Sequence, residues 1–428
     1  MKLTARLSQL HGTVAIPASK SHTIRAVAVA AMAEGSSTIH RPLSSSDAES
    51  AVRCYRMLGA EIETSNPQAW IVKGTGGNIQ SPQETIDVGN SGTTLRIALG
   101  AAALGPTDTT TTFTGDEQIQ SRPIGPLLEA LENLGATCHS QRNNGKAPVE
   151  VSGQLTGGTT SLEAPTSQYL TSLLLCCPLA ECDSEISVTL LNEAGYVQIT
   201  LDWLDKQGIR YEHEGFDRFL IRGNQRFQSY NAPVPADFSS ATFFFCGAAL
   251  FGNQVTLTGL DFSDSQPDKK VVDYLKAMGA DIQITEQGVT VTGGALTGTE
   301  IDMNDTPDAL PAMAVCGALA QGTTRLVNVP QARNKETDRI HCMAEELAKL
   351  GVDIEELPDG LVIQGGSLKA VPVKGHADHR IVMALALAGL ACNEPLTVDT
   401  AEAMNVTFPN FVELMQGLGG EMAVIVDR

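Results

Sequence analysis

Apolar residues recur at three- and four-residue spacing in several stretches that each end on a glycine, among them PLLEALENLG, KVVDYLKAMG and HCMAEELAKLG. That spacing predicts amphipathic helices with one buried face. Past the glycine the pattern changes to alternation, as in ADIQIT, the period of a half-buried strand. Glycine at the C′ position accepts the left-handed backbone that ends a helix, so each glycine marks a joint where helix passes into strand. The joint recurs as LGAEIE from Leu58, LGATCH from Leu134, QGIRYE from Gln207, MGADIQ from Met278, LGVDIE from Leu350 and LGGEMA from Leu418. Its glycines, Gly59, Gly135, Gly208, Gly279, Gly351 and Gly419, stand about 70 residues apart, too far for a solenoid and suited to a βαβ-type unit with extra strands. The pattern predicts an α/β chain of six pseudo-repeats, three to a domain.

A chain of 428 residues exceeds one ordinary core, which agrees with two domains. The interior boundary falls in the Pro-punctuated stretch from Tyr230 to Pro235, between the third and fourth repeats, and a second candidate crossing is Ile16 to Lys20. With both as crossings, the expected domains are 18–232 and 1–17 joined to 233–428. The active site is then expected in the cleft between the halves, where small-molecule sites tend to lie.

Charge narrows the function. A formal net charge of −20 argues against nucleic acid, whose binding depends on clustered Lys and Arg, so any anion must be met by a local basic pocket. The N-terminal stretch has no uninterrupted apolar segment and no later run is long enough to span a bilayer, which places the chain in the cytosol, without membrane contact. Nine cysteines, including the adjacent Cys176 and Cys177, include no matched C-x-x-C pair, so reduced thiols are expected rather than disulfides or a zinc site. No cofactor or metal is called for, and a monomer is expected.

Basic residues gather where turns meet apolar helices. Ser19-Lys20-Ser21-His22-Thr23-Ile24-Arg25 opens one helix and Gly89-Asn90-Ser91-Gly92-Thr93-Thr94-Leu95-Arg96 another. Helix N-termini favour anions, and Gly92 lets a ligand approach the backbone closely. Pro123 suits a first helical position, which puts Arg122 at the mouth of a helix. Lys335 and Arg339, four apart, are expected on one helix face beside Glu336, and Ala377-Asp378-His379-Arg380 precedes a further apolar helix. Taken singly, each reads as well as a capped turn or a solvated helix face. Together they allow one convergent anion pocket.

These motifs, from SKSHTIR through GNSGTTLR, SRPIG, TSQYLTSLLL, PADFSSATFF, DTPDALPA, RNKETDR and ADHR to TFPNF, resemble the 5-enolpyruvylshikimate-3-phosphate synthase family in order and spacing over nearly the whole chain. The resemblance implies two inverted α/β domains of three units each, and transfer of the enolpyruvyl group of phosphoenolpyruvate to shikimate 3-phosphate. It implies that Lys20, Ser21 and Arg25 hold the shikimate part, with Thr166, Ser167 and Gln168 on its phosphate and ring oxygens and Tyr196 and Gln331 nearby. Asn90, Gly92, Arg122, Gln168, Arg339 and Arg380 are then expected to bind phosphoenolpyruvate. Asp308 would be the base on the acceptor hydroxyl with Lys335 near it, while Glu336 and Lys20 would move protons at the enol carbons.

The chain departs from the family at several positions. Glu193, three before Tyr196, stands where a serine usually contacts the acceptor phosphate, and a carboxylate there would repel that phosphate unless it turns away. Gln331 replaces an asparagine, Glu402 a lysine common near the C-terminus, Ala18 a glycine, and Ile97 a proline after Arg96. A paralogue using another hydroxylated anionic acceptor therefore stays open. The UDP-N-acetylglucosamine enolpyruvyl transferases are the nearest rival, but they carry a Cys before the Arg-Pro of SRPIG, where this chain reads DEQIQSRP. An RNA-cyclase-like protein is opposed by the acidic charge, and a silent binding protein by the presence together of Asp308, Lys335 and Glu336.

Overall fold

All six joint glycines adopt left-handed backbones, with φ between 66° and 108°. At Gly135 the close fit also excludes a side chain, since an added Cβ would stand 2.4 Å from the Thr156 hydroxyl. Into these joints run the helices Ser46–Met57, Gly125–Asn133, Ala194–Lys206, Val271–Ala277, Arg339–Lys349 and Phe411–Gly417. Out of them run the strands Glu61–Glu63, Thr137–Ser140, Tyr211–Glu214, Asp281–Thr285, Asp353–Leu357 and Glu421–Ile425.

The computed structural model describes residues 1–426. Each repeat builds one small sheet of the same plan: an edge strand parallel to a second, then two antiparallel strands, the last being the one that leaves the joint. In the second repeat the order is Ile86–Asp87, Thr111–Thr114, Val149–Ser152, Thr137–Ser140. In the sixth, Leu396–Val398 pairs with the N-terminal strand Lys2–Arg6, which pairs with Glu421–Ile425, and the first strand shrinks to a parallel bridge between Val373 and Val398. The chain's first strand thus completes its last repeat. Alternation sets the faces: in Ala69–Lys73, Trp70 and Val72 point into the core between exposed neighbours.

A second set of helices, one per repeat, is apolar on nearly every face and has no wet side. These are Lys20–Met32, Gly92–Ala102 and Ser167–Cys176, then Phe238–Phe251, Leu310–Leu319 and His379–Gly389. The chain divides into two compact units, one of 18–234 and one of 1–17 with 235–428, and each has its own hydrophobic core around its three buried helices. Among the described residues no helix is long and apolar enough to cross a membrane.

Candidate active site

A helix buried on all faces can meet a ligand only at its ends, and Lys20, Gly92, Ser167, Asp308 and Arg380 stand at or beside the N-terminal ends of five of these buried helices. In the unit 18–234, Lys20 opens its helix behind the cap Ser19 and lies 3.3 Å from the buried Asp47 carboxylate. Arg25 turns inward, donating to Thr200 Oγ1 at 2.9 Å, Thr171 Oγ1 at 3.2 Å, and the carbonyls of Ser21 at 3.0 Å and Tyr196 at 3.1 Å. Burial lowers this guanidinium to about 10, partly offset by Tyr196. In this structure Arg25 is a strut between three helices.

Gly92 begins its helix beneath two guanidiniums: a Cβ there would lie 2.7 Å from Nη1 of both Arg96 and Arg122, each itself buried. Arg96 donates to Gln168 Oε1 at 2.6 Å, and Gln168 Nε2 donates to Thr93 Oγ1 at 3.1 Å. The Tyr169 hydroxyl donates to the Pro123 carbonyl and fixes the Arg122 loop, while Arg96 stands 5.7 Å over the Tyr169 ring. Asn90 gives its amide to Asp116 at 2.7 Å and Gln118 at 2.5 Å. Two forked cations, an amide and a helix N-terminus around a residue without a side chain make a seat for a carboxylate or phosphate. At the third helix the hydroxyls of Thr166 and Ser167 both donate to the Glu193 carboxylate, at 3.3 Å and 2.9 Å.

The other unit holds a denser cluster. Arg339, 1% exposed, donates to Asp308 at 2.7 Å, to Glu336 at 2.5 Å, and to both oxygens of Asp378 at 2.8 and 3.2 Å. Arg380 Nη2 stands 2.9 Å from the second oxygen of Asp308. Burial alone would lower the Arg339 guanidinium, but Asp378, Glu336 and Asp308 outweigh it and raise it above its usual range. Burial likewise presses Asp378 upward, and Arg339 overcomes this to hold it below an ordinary carboxylate. Asp378 also caps the helix His379–Gly389 by accepting from Arg380 N at 2.8 Å, and takes a hydrogen bond from the Thr337 hydroxyl. Beside it burial drives the His379 imidazole down to about 3, and its Nε2 is buried with no hydrogen-bond partner among the described residues.

Asp308, Glu336, Arg339 and Arg380 are therefore in direct contact, and Gly92, Arg122 and Gln168 gather around Arg96. Gln331 is buried and donates to the Asn304 carbonyl at 2.7 Å, while its own Oε1 has no hydrogen-bond partner among the described residues.

Two local expectations need correction. Lys335 and Arg339 do not share a helix face: Lys335 ends the 3₁₀ turn Pro330–Asn334, and the helix begins only at Arg339 behind the cap Asp338, which accepts from His341 N. Pro123 does not open a helix either. Arg122 follows the short helix Glu117–Ser121, and the next helix starts at Gly125 with Pro126 in its first turn. In both places a polar cap or a later proline outcompeted the residue chosen from spacing alone.

Three contacts were not foreseen. Asp47 holds Lys20, Arg96 completes the Gly92 seat, and Asp378 anchors Arg339. Arg96 carried a signal, standing one helical turn after Gly92 and so on the same face. For a metal, the described residues offer Glu345, Glu346 and His376, with ligand atoms within 4.8 Å of one another. Glu346 there already accepts from Lys349, His376 and the Lys374 amide.

Residues 5–415 match the family model described as EPSP synthase (3-phosphoshikimate 1-carboxyvinyltransferase). The chain belongs to the EPSP synthase family. Proteins named 3-phosphoshikimate 1-carboxyvinyltransferase from Acetivibrio thermocellus and Ruminiclostridium cellulolyticum are 52% and 51% identical to it, over 99% of this chain and 99% and 100% of theirs. A solved EPSP synthase structure from Acinetobacter baumannii superposes with a TM-score of 0.83 at 26% identity, covering 100% of both chains. The six-repeat α/β architecture is thus that of EPSP synthases.

Proposed function

We propose that this chain transfers the enolpyruvyl group of phosphoenolpyruvate to the 5-hydroxyl of shikimate 3-phosphate and releases phosphate, a transferase step of the shikimate pathway to aromatic amino acids. The observation that carries the reading is the pair of carboxylates, Asp308 and Glu336, held on one guanidinium in a chain of the EPSP synthase family.

Both substrates are multiply charged, and their desolvation side by side demands forked cations more than a general positive field. In this reading the Gly92, Arg122 and Gln168 seat, with Asn90, takes phosphoenolpyruvate together with Arg339 and Arg380. Lys20, Ser21, Arg25, Thr166, Ser167, Tyr196 and Gln331 serve the acceptor. Asp308 takes the hydroxyl proton as that oxygen bonds to C2 of the enol. Glu336 and Lys20 deliver a proton to the methylene carbon, which gives a tetrahedral intermediate, while Lys335 stands with Asp308. Loss of a proton from the same carbon then re-forms the double bond as the C2–O bond to phosphate breaks. The chemistry calls on neither metal nor cofactor, and a cytoplasmic monomer belongs to the same reading.

The test is phosphate release from phosphoenolpyruvate with shikimate 3-phosphate, run beside other hydroxylated anionic acceptors and UDP-N-acetylglucosamine. Release with shikimate 3-phosphate alone is expected. Release only with another acceptor moves the assignment to a paralogue, a reading motivated by the Glu193 carboxylate at the Thr166–Ser167 turn.

A further inference from the structure

Glu193 precedes the helix Ala194–Lys206, is 2% exposed, and holds a left-handed backbone at φ 62°, a conformation disfavoured for a residue with a side chain. Something must hold it there. Its Oε2 accepts from Ser167 Oγ at 2.9 Å, from Ser167 N at 3.3 Å and from Thr166 Oγ1 at 3.3 Å. One carboxylate oxygen thus collects both hydroxyls of the turn and the first backbone N–H of the buried helix Ser167–Cys176. A helix N-terminus with hydroxyls beside it is an anion site, and here the anion comes from the protein itself.

We infer that Glu193 is the residue that tunes acceptor specificity, an internal carboxylate that competes with the acceptor's phosphate for the Thr166–Ser167 turn. This rests on the transferase reading above, which gives that turn to the acceptor phosphate. A phosphate dianion and a carboxylate cannot share three donors without close like-charge repulsion, so acceptor binding swings Glu193 off the turn. The cost of that exchange lowers acceptor affinity and leaves the Gly92 seat untouched. A weakly charged acceptor feels the competition less, so Glu193 also narrows the preference between phosphorylated and unphosphorylated acceptors.

Two variants separate charge from backbone. Glu193→Gln keeps length and one accepting oxygen, while Glu193→Gly removes the side chain and suits the left-handed backbone. Binding of shikimate 3-phosphate is measured by calorimetry without phosphoenolpyruvate, and KM for each substrate by phosphate release. Both variants are expected to bind shikimate 3-phosphate at least about tenfold more tightly, Glu193→Gly the more so, with shikimate gaining less and the KM for phosphoenolpyruvate moving least. Equal or weaker binding of shikimate 3-phosphate by both variants, with melting temperatures near that of the parent, overturns the inference alone. Absence of phosphate release from the unsubstituted enzyme with both substrates overturns the transferase reading and this inference with it.

Discussion

Arg339→Met removes the guanidinium shared by three carboxylates, Asp308, Glu336 and Asp378, and leaves Asp308 with Arg380. Methionine fills much of the same space, so the loss is chiefly of charge and hydrogen bonds. Deleting one member of a buried ion pair costs about 3–5 kcal/mol, because the remaining charge stays out of water. In a unit of about 200 residues each kcal/mol moves the melting temperature by about 2–4 °C, which puts the expected fall at roughly 6–20 °C at pH 7. The charge origin is tested by pH. Arg339 holds Asp378 below its ordinary value, so this stabilisation is fully present above the unfolded carboxylate pKa of about 3.9 and is lost as pH falls through the lower folded value. Calorimetric melts of parent and variant should therefore differ most at neutral pH and converge below about pH 4. A variant melting within about 2 °C of the parent at pH 7 would refute the claim that Arg339 neutralises the cluster. A gap of equal size at pH 7 and pH 3 would assign the effect to packing.

Three further outcomes follow from the same geometry. Asp308→Asn keeps an oxygen for Arg339 and should leave the circular dichroism spectrum intact while turnover falls about 10²- to 10⁴-fold; phosphate-release kinetics within tenfold of the parent would remove Asp308 from the role of base. Gly92→Ala pushes a methyl against Nη1 of Arg96 and Arg122, so the KM for phosphoenolpyruvate should rise roughly 10- to 100-fold with an unchanged melting temperature, as initial rates will measure. His379, held down to about 3 by burial, stays neutral in the fold while the unfolded chain takes up its proton below about 6.5, so the fold loses stability as pH falls through that window. His379→Leu should then lose about 2–3 kcal/mol less than the parent between pH 6.5 and 4.5 in urea titrations.

The pocket residues differ in how far the chain alone revealed them. Gly92 and Arg380 were legible because a glycine turn or an acid-capped start before an apolar helix is a local signal, carried by adjacent residues. Arg25 was legible as a basic residue of such a motif, but not as a buried strut, since its partners Thr171 and Thr200 come from helices far along the chain. Lys335 illustrates the opposite error. Four-residue spacing suggested a shared helix face, yet the Asp338 cap delays the helix until Arg339.

The periodicity of apolar residues and six left-handed glycines determined the helix-to-strand joint and its sixfold recurrence, because each joint is written in contiguous residues and needs no distant partner. The ion pairing of Arg339 with Asp308, Glu336 and Asp378, and the seating of Glu193 on Ser167, were decided only by tertiary structure. A charge's partner depends on which helix ends are brought within hydrogen-bonding reach, and sequence spacing does not carry that distance.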